Sequence, residues 1–155
     1  MGTLSSTIFD FFLTNVNDYR LTNIYTTSGS LVLDIYLEPF LLNSIVEFYE
    51  CNQDLSYTVA GSTIEGSFDV DLSTENQLML SHIMMRYYMG KEVADILQLR
   101  NALQDRDFKT YSQANNLKEK RDYYNSIKED ISQRLNDYSY RKNNWDSWRN
   151  QIFYS

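Results

Sequence analysis

From Leu78 to Met89 apolar side chains occupy nearly every face of a helical repeat: Leu78, Met79, Leu80, Ile83, Met84, Met85, Tyr87, Tyr88 and Met89. The pattern continues through Val93, Ile96, Leu97, Leu99 and Leu103. A helix that is apolar all round has to be covered on most sides, so this segment is central and the rest of the chain must wrap it. Thr74-Glu75-Asn76-Gln77 precedes it as a capping box, in which Thr74 and Gln77 satisfy backbone donors reciprocally. Gly90 interrupts it at a cost of about 1 kcal/mol relative to alanine, which marks close packing or a slight bend. The methionines at helical spacing read as core filler ahead of an adaptable binding groove.

Asp105-Arg106-Asp107 breaks the apolar pattern, and Asp107 is the N-cap expected for the next helix. Beyond it Ala114, Leu117, Tyr124, Ile127, Ile131, Leu135 and Tyr138 recur at spacings of three, four and seven. Leu117, Tyr124, Ile131 and Tyr138 stand in strict heptad register. The other faces carry Lys118, Glu119, Lys120, Asp122, Lys128, Glu129 and Asp130, a solvated surface of mixed sign. So narrow a stripe is expected to pair with the preceding helix as an antiparallel αα-hairpin.

The wrapping elements come from the first half. Ser5-Ser6-Thr7 offers N-caps before Ile8, Phe9, Phe12, Leu13 and Val16, which predicts a short first helix. Asn15 to Asn23 is polar enough to end it, and Thr26-Thr27-Ser28-Gly29-Ser30 reads as a loop. A second helix is predicted from about Leu33 to Tyr49, with Tyr36, Leu37, Phe40, Leu41, Ile45, Phe48 and Tyr49 inward. Pro39 either kinks it or opens the first turn of the true helix; the second option is preferred, since proline is tolerated at that position. From about 52 to 72 the period falls to two, with Tyr57, Val59, Ile64, Phe68 and Val70 alternating around Gly61-Ser62 and Gly66. A small β-hairpin or ordered loop is expected, leaning on the helices or on a neighbouring subunit. The fold class is therefore mainly α: a helical bundle with a long antiparallel helix hairpin and a small β insertion. A helical domain over 1–137 is followed by an aromatic tail over 138–155.

At 155 residues the chain is one domain with room for a true core. Its net charge of −7 is unevenly spread. Residues 1–75 hold eleven acids against the single base Arg20, and residues 76–155 hold ten acids against thirteen bases. No contiguous basic stripe marks a nucleic-acid surface. The polarity suits head-to-tail packing of identical subunits, or simply a solvated acidic face. Cys51 is the one cysteine, which excludes an intrachain disulfide and points to a reducing compartment. The opening residues lack the basic region of a signal peptide, and no apolar run approaches a membrane span.

Residues suited to catalysis are sparse. His82 is the only histidine and reads as a packed side chain on the central helix. Cys51 reads as a small buried residue. Zinc needs several Cys and His ligands, and Asp69-x-Asp71 lacks the rest of a calcium loop. Glu38 and Glu47 have nothing but acidity to suggest a catalytic pair. No catalytic, cofactor-binding or metal-binding residue is assigned, and the chain is expected not to be an enzyme.

The tail holds both tryptophans. Trp145, Trp148 and Ile152 share one side if it is helical, and with Tyr138, Tyr140, Phe153 and Tyr154 they form an anchor set typical of interfaces. The expected interface residues are these seven. The tail docks back on its own core or into a neighbour, and the sequence leaves both open. Arg141, Lys142 and Arg149 among the aromatics also suit a single-strand nucleic-acid platform, though three bases make a weak one.

Gln98-Leu99, then Leu103-Gln104-Asp105-x-Asp107-Phe108-Lys109-x-Tyr111-Ser112 and Asn116-Leu117-Lys118-Glu119-Lys120, together with the acidic helix-rich first half, resemble small virion proteins of tailed bacteriophages. More narrowly, the chain is similar to head–tail connector (neck or adaptor) proteins over most of residues 8–137. The tail after Tyr138 is longer and more aromatic than that pattern. The resemblance implies a non-enzymatic structural subunit, located in the virion and in the host cytoplasm during assembly. It further implies a ring, commonly a dodecamer, docked on the phage portal protein and adjacent neck or tail proteins. DNA would pass through without sequence-specific binding, and no membrane would be involved. The alternative is a small helical adaptor or regulator that binds one partner through its hairpin.

Overall fold

The computed structural model describes residues 2–61, 65–102 and 111–142. Among them five helices and two short strands follow in the order α1 (Ser5–Asn15), α2 (Tyr19–Ser28), α3 (Ser30–Glu47), β1 (Tyr57–Thr58), β2 (Ser67–Phe68), α4 (Thr74–Ala102) and α5 (Tyr111–Lys142). The chain is a mainly helical bundle with a small antiparallel two-stranded sheet, as its periodicities require. The expected break at Asp105-Arg106-Asp107 and the Asp107 cap lie outside the described residues.

α4 is the central helix and packs on α1, α3 and α5. Leu80, Ile83, Met84 and Tyr88 are completely buried along it, and Met79 nearly so. The Tyr88 ring meets Phe12 at 5.6 Å and Phe40 at 5.7 Å, both edge-on, so one side chain ties α1 and α3 to α4. Met85 and Met89 pack at the margin of the same core. The methionine cluster is thus part of the core.

The antiparallel course of α4 and α5 is visible at four points. Arg141 pairs with Glu75 and Tyr138 bonds Asn76, at the start of α4. Farther along α4, the charges of Arg134 and Asp130 reach His82. Beyond His82, Gly90 faces Tyr124; a Cβ at Gly90 would sit 3.3 Å from the Tyr124 ring, so the missing side chain lets the helices close. The heptad stripe is the buried seam: Leu117, Ile127, Ile131 and Tyr138 are buried, and Leu135 is half-buried.

Three local expectations are corrected. Asn15 to Ser28 is not merely a helix end and loop: α2 occupies Tyr19–Ser28, capped by the Asp18 carboxylate on the Arg20 N–H at 2.7 Å. Gly29, at φ +86°, turns the chain directly into α3. Pro39 lies in the middle of α3 rather than in its first turn. The carbonyl its missing N–H would have bonded belongs to Ile35, and both residues are exposed, so water can take the donor's place. Tyr49, expected inward, is 81% exposed in the turn after α3.

The caps also shift. None of Ser5-Ser6-Thr7 caps α1; its first amides are satisfied from across the fold, Ser5 N–H by the Gly66 carbonyl and Ser6 N–H by the Glu65 carboxylate at 2.8 Å. Ser73, not Thr74, caps α4: its hydroxyl accepts from the Asn76 N–H, and Gln77 donates to the Leu72 carbonyl. The sheet pairs Tyr57 with Phe68 and Thr58 with Ser67. Leu4 adds an antiparallel bridge to Ser67, and Thr3 exchanges bonds with Phe68 and Val70. Two strands alone would be marginal; this N-terminal edge and the buried Phe68 anchor them to the helices.

Candidate functional site

α3 carries apolar residues on two sides. The inner side is core: Leu33, Leu37, Phe40 and Leu41 are buried, and Phe48 follows in the turn. The outer side presents Val32, Ile35, Pro39, Leu42 and Val46, continued by Tyr49, at successive spacings of three, four, three, four and three. That is the a/d rhythm of a helix seam. Every one of these residues is exposed, from 37% at Leu42 to 81% at Tyr49. Scattered exposed apolar residues need no explanation, but an aligned row of them marks a contact surface. Leu31 lies beside its first turn, also exposed. The sequence reading assigned α3's inward residues and passed over this outer row. The signal was present: a helix apolar on two opposite sides either lies deep in a core or has a second partner.

At its C-terminal end the row meets α5. A groove of about 240 Å³ runs between the 47–50 turn and the Ser132, Leu135, Asn136 and Ser139 face of α5. Glu47 in its wall is held by an ion pair with Arg86 of α4. Behind it lies a polar hub. The Tyr138 hydroxyl accepts from the Asn52 N–H at 3.0 Å and lies 2.7 Å from Asn52 Oδ1 and 2.9 Å from Asn76 Oδ1, either of which takes its proton. The Asn76 amide donates to Asn52 Oδ1 and Gln53 Oε1, and Gln53 Oε1 also accepts the Ser73 N–H. Burial comes first in pushing the Tyr138 hydroxyl above its ordinary pKa. Its ring packs on Phe48 at 4.9 Å, which fixes the end of α3 against α5.

Of the seven residues expected at an interface, Tyr138 and Tyr140 fall within the described residues. Tyr138 is buried at this hub and serves the chain's own packing, whereas Tyr140 is 74% exposed. Both belong to α5, which continues past the expected tail boundary to Lys142. Trp145, Trp148, Ile152, Phe153 and Tyr154 lie outside the described residues.

The residues weighed for chemistry are held apart or engaged elsewhere. His82 is half-buried on α4, where burial and then the Arg134 charge lower its pKa. Cys51 adjoins the Tyr138 hydroxyl at 3.9 Å. The Glu38 carboxylate is buried and accepts from the Tyr57 hydroxyl at 3.0 Å and the Ala60 N–H at 2.6 Å, so it locks the hairpin to α3. Burial, then Glu38, hold the Tyr57 hydroxyl well above its usual pKa. Asp71 accepts from the Thr3 hydroxyl at 3.2 Å. No group of three or more His, Cys, Asp or Glu suited to a metal ion occurs among the described residues.

A second polar cluster closes the opposite end. Asp18 accepts the Tyr88 hydroxyl at 2.7 Å, while Arg20 bonds Glu92 at 2.7 Å and approaches Asp95 at 3.5 Å. Lys91 joins Asp95 at 3.1 Å and stands over the Tyr36 ring. Every charge in this set has a partner within the fold, so it fastens α2 to α4. Among the described residues no helix is long and apolar enough to cross a membrane. Comparisons with protein-family models, with characterised proteins and with solved structures find no match for this chain.

Proposed function

We propose that this protein is a non-enzymatic assembly subunit whose docking face is the outer row of α3. The observation that carries this reading is the exposed seam Val32, Ile35, Leu42, Val46 and Tyr49 on a helix already anchored on its other side. A rigid helix with a spare apolar row offers a partner helix the i, i+3, i+4, i+7 anchors of helix-in-groove recognition. Charge sets the polarity of the contact. No lysine or arginine occurs between Arg20 and Arg86, so α3 and the hairpin carry acids only, and the balancing bases follow in α4 and α5. Copies of the chain meet acidic face to basic half, a heterologous contact that closes into rings.

The finer proposal, resting on the resemblance of Gln98–Lys120 and the acidic first half, is a ring-forming head–tail connector of a tailed phage, docked on the portal. Mass spectrometry of purified virions should find the chain in multiple copies. Its absence from purified virions contradicts the connector role while leaving the α3 docking face standing. The alternative, an adaptor that binds through the hairpin stripe, has less to support it, since Leu117, Ile127, Ile131 and Tyr138 are already buried within the chain.

A further inference from the structure

We infer that the groove between α1 and α2 is a second docking site, which takes a basic amphipathic helix of a partner protein. It goes beyond the α3 docking face and does not depend on it. α1 packs on α3 and α4, whereas α2 packs on α3 and is fastened to α4 by Asp18 and Arg20. Each of the two helices is held by the rest of the bundle, and the short link 16–18 joins them. Between them a cleft stays open.

The cleft measures about 560 Å³, a size that suits a bound group. Its floor is apolar: Leu21 and Leu33 are buried there, and Leu13 and Val16 are half-buried. Tyr25 forms one wall and is 56% exposed. Along α2, Asp18, Leu21 and Tyr25 stand at i, i+3 and i+7, and along α1, Asp10 and Leu13 stand at i and i+3, so two helix faces line one cleft. That is the setting of helix-in-groove recognition, in which the apolar face of a third helix enters. Charge then selects the occupant. Asp10 and Asp18 are the charged residues of the lining. Asp10 enters no ion pair among the described residues. Its charge adds to that of Glu65 at Asp34, so acids continue along the α1 side of the cleft. Arg20, the one base of residues 1–75, is held by Glu92 and Asp95, and Lys91 is held by Asp95. No base therefore cancels the negative charge around the apolar floor. An acidic segment is repelled, and apolar anchors flanked by lysine or arginine are favoured. A cation held there can also lie over the Tyr25 ring.

The experiment titrates the full chain with a synthetic helix-forming peptide, leucine on one face and lysine on the other, and follows backbone amide shifts by nuclear magnetic resonance. Two control peptides carry glutamate in place of lysine and serine in place of leucine. The expected result is saturable binding of the leucine–lysine peptide alone, with shifts centred on residues 10–25 and Leu33. Asp10→Asn and Tyr25→Ala alter exposed positions, so the fold should persist. The first should weaken binding about two- to fivefold, and the second about fivefold or more. The amide spectrum itself reports whether each variant is folded, and where Tyr25→Ala disturbs α2, Tyr25→Gln serves the same readout. Absence of saturable binding overturns the inference, as do shifts centred elsewhere or variants that bind as tightly as the natural chain. Equal binding of the serine–lysine control reduces the contact to charge and overturns it too. Ile35→Asp/Val46→Asp separates the two sites. Peptide binding kept in that variant supports the groove, whereas binding lost there moves the peptide to the α3 row, which sinks the groove and spares the docking face.

Discussion

Single atoms decide the end of the bundle where α3, α4 and α5 meet. The Tyr138 hydroxyl is the meeting point of amides 62 and 86 residues away in sequence, Asn76 and Asn52. Tyr138→Phe keeps the ring against Phe48 but strands the Asn52 N–H and the Asn76 Oδ1, and should cost about 1–3 kcal/mol of stability in denaturant unfolding. A loss too small to measure would mean the hydroxyl is not needed there. Asp34 offers a test in pH. Burial, then the neighbouring charges of Glu65 and Asp10, push its pKa up to about 6 from an ordinary 3.8. The folded state therefore binds this proton more tightly than the unfolded chain. Its contribution is fully present below about pH 4 and is lost as pH rises through about 6. Asp34→Asn should accordingly raise stability at pH 7, by about 1 kcal/mol once the screening of a half-exposed group is allowed for. It should also flatten the thermal-midpoint profile between pH 4 and 7; a parallel profile would contradict the assignment. None of this was legible beforehand. Tyr138 stood out in the sequence as an aromatic of the heptad stripe, but its polar partners lie on other elements, and no periodicity encodes them.

Elements were legible where one physical signal dominated. α4 and α5 followed from apolar spacing alone, and α4 begins where Thr74 was read, with its cap one residue earlier at Ser73. α2 escaped because it buries little: Leu21 is its one buried residue, and its stability comes from the Asp18 cap and from packing on α3. Pro39 misled for the opposite reason, since the local rule for proline was stronger than the tertiary context that overrode it. α1 and the core hold α3 from within, while Ile35 and Pro39 both lie on its exposed side, within reach of water. This yields a prediction that separates the two placements. Pro39→Ala restores a missing helix bond and should stabilise the chain by roughly 1–3 kcal/mol in thermal unfolding. A neutral or negative effect would instead suit a proline in the first turn.

For the molecule as a whole, the bundle satisfies its inner faces and, among the described residues, leaves the outer row of α3 exposed. Its mainly helical class with a small hairpin was readable because a helix apolar on all sides admits few other arrangements. The outer row of α3 was harder to see, since hydrophobic spacing tells which residues want cover and not which cover they receive. Only the fold shows that Leu37 and Leu41 spend their apolar surface within the chain while Ile35 and Val46 do not. The sharpest check joins stability to assembly in one variant, Ile35→Asp/Val46→Asp in the full chain. Both side chains face solvent, so the free energy of unfolding should stay within about 1 kcal/mol of the natural chain. Native mass spectrometry across a concentration series should then show multi-copy complexes for the natural chain and monomer alone for the variant. A variant that assembles as before, or one that loses stability on the scale of a core substitution, would contradict the assignment of this row as a docking face.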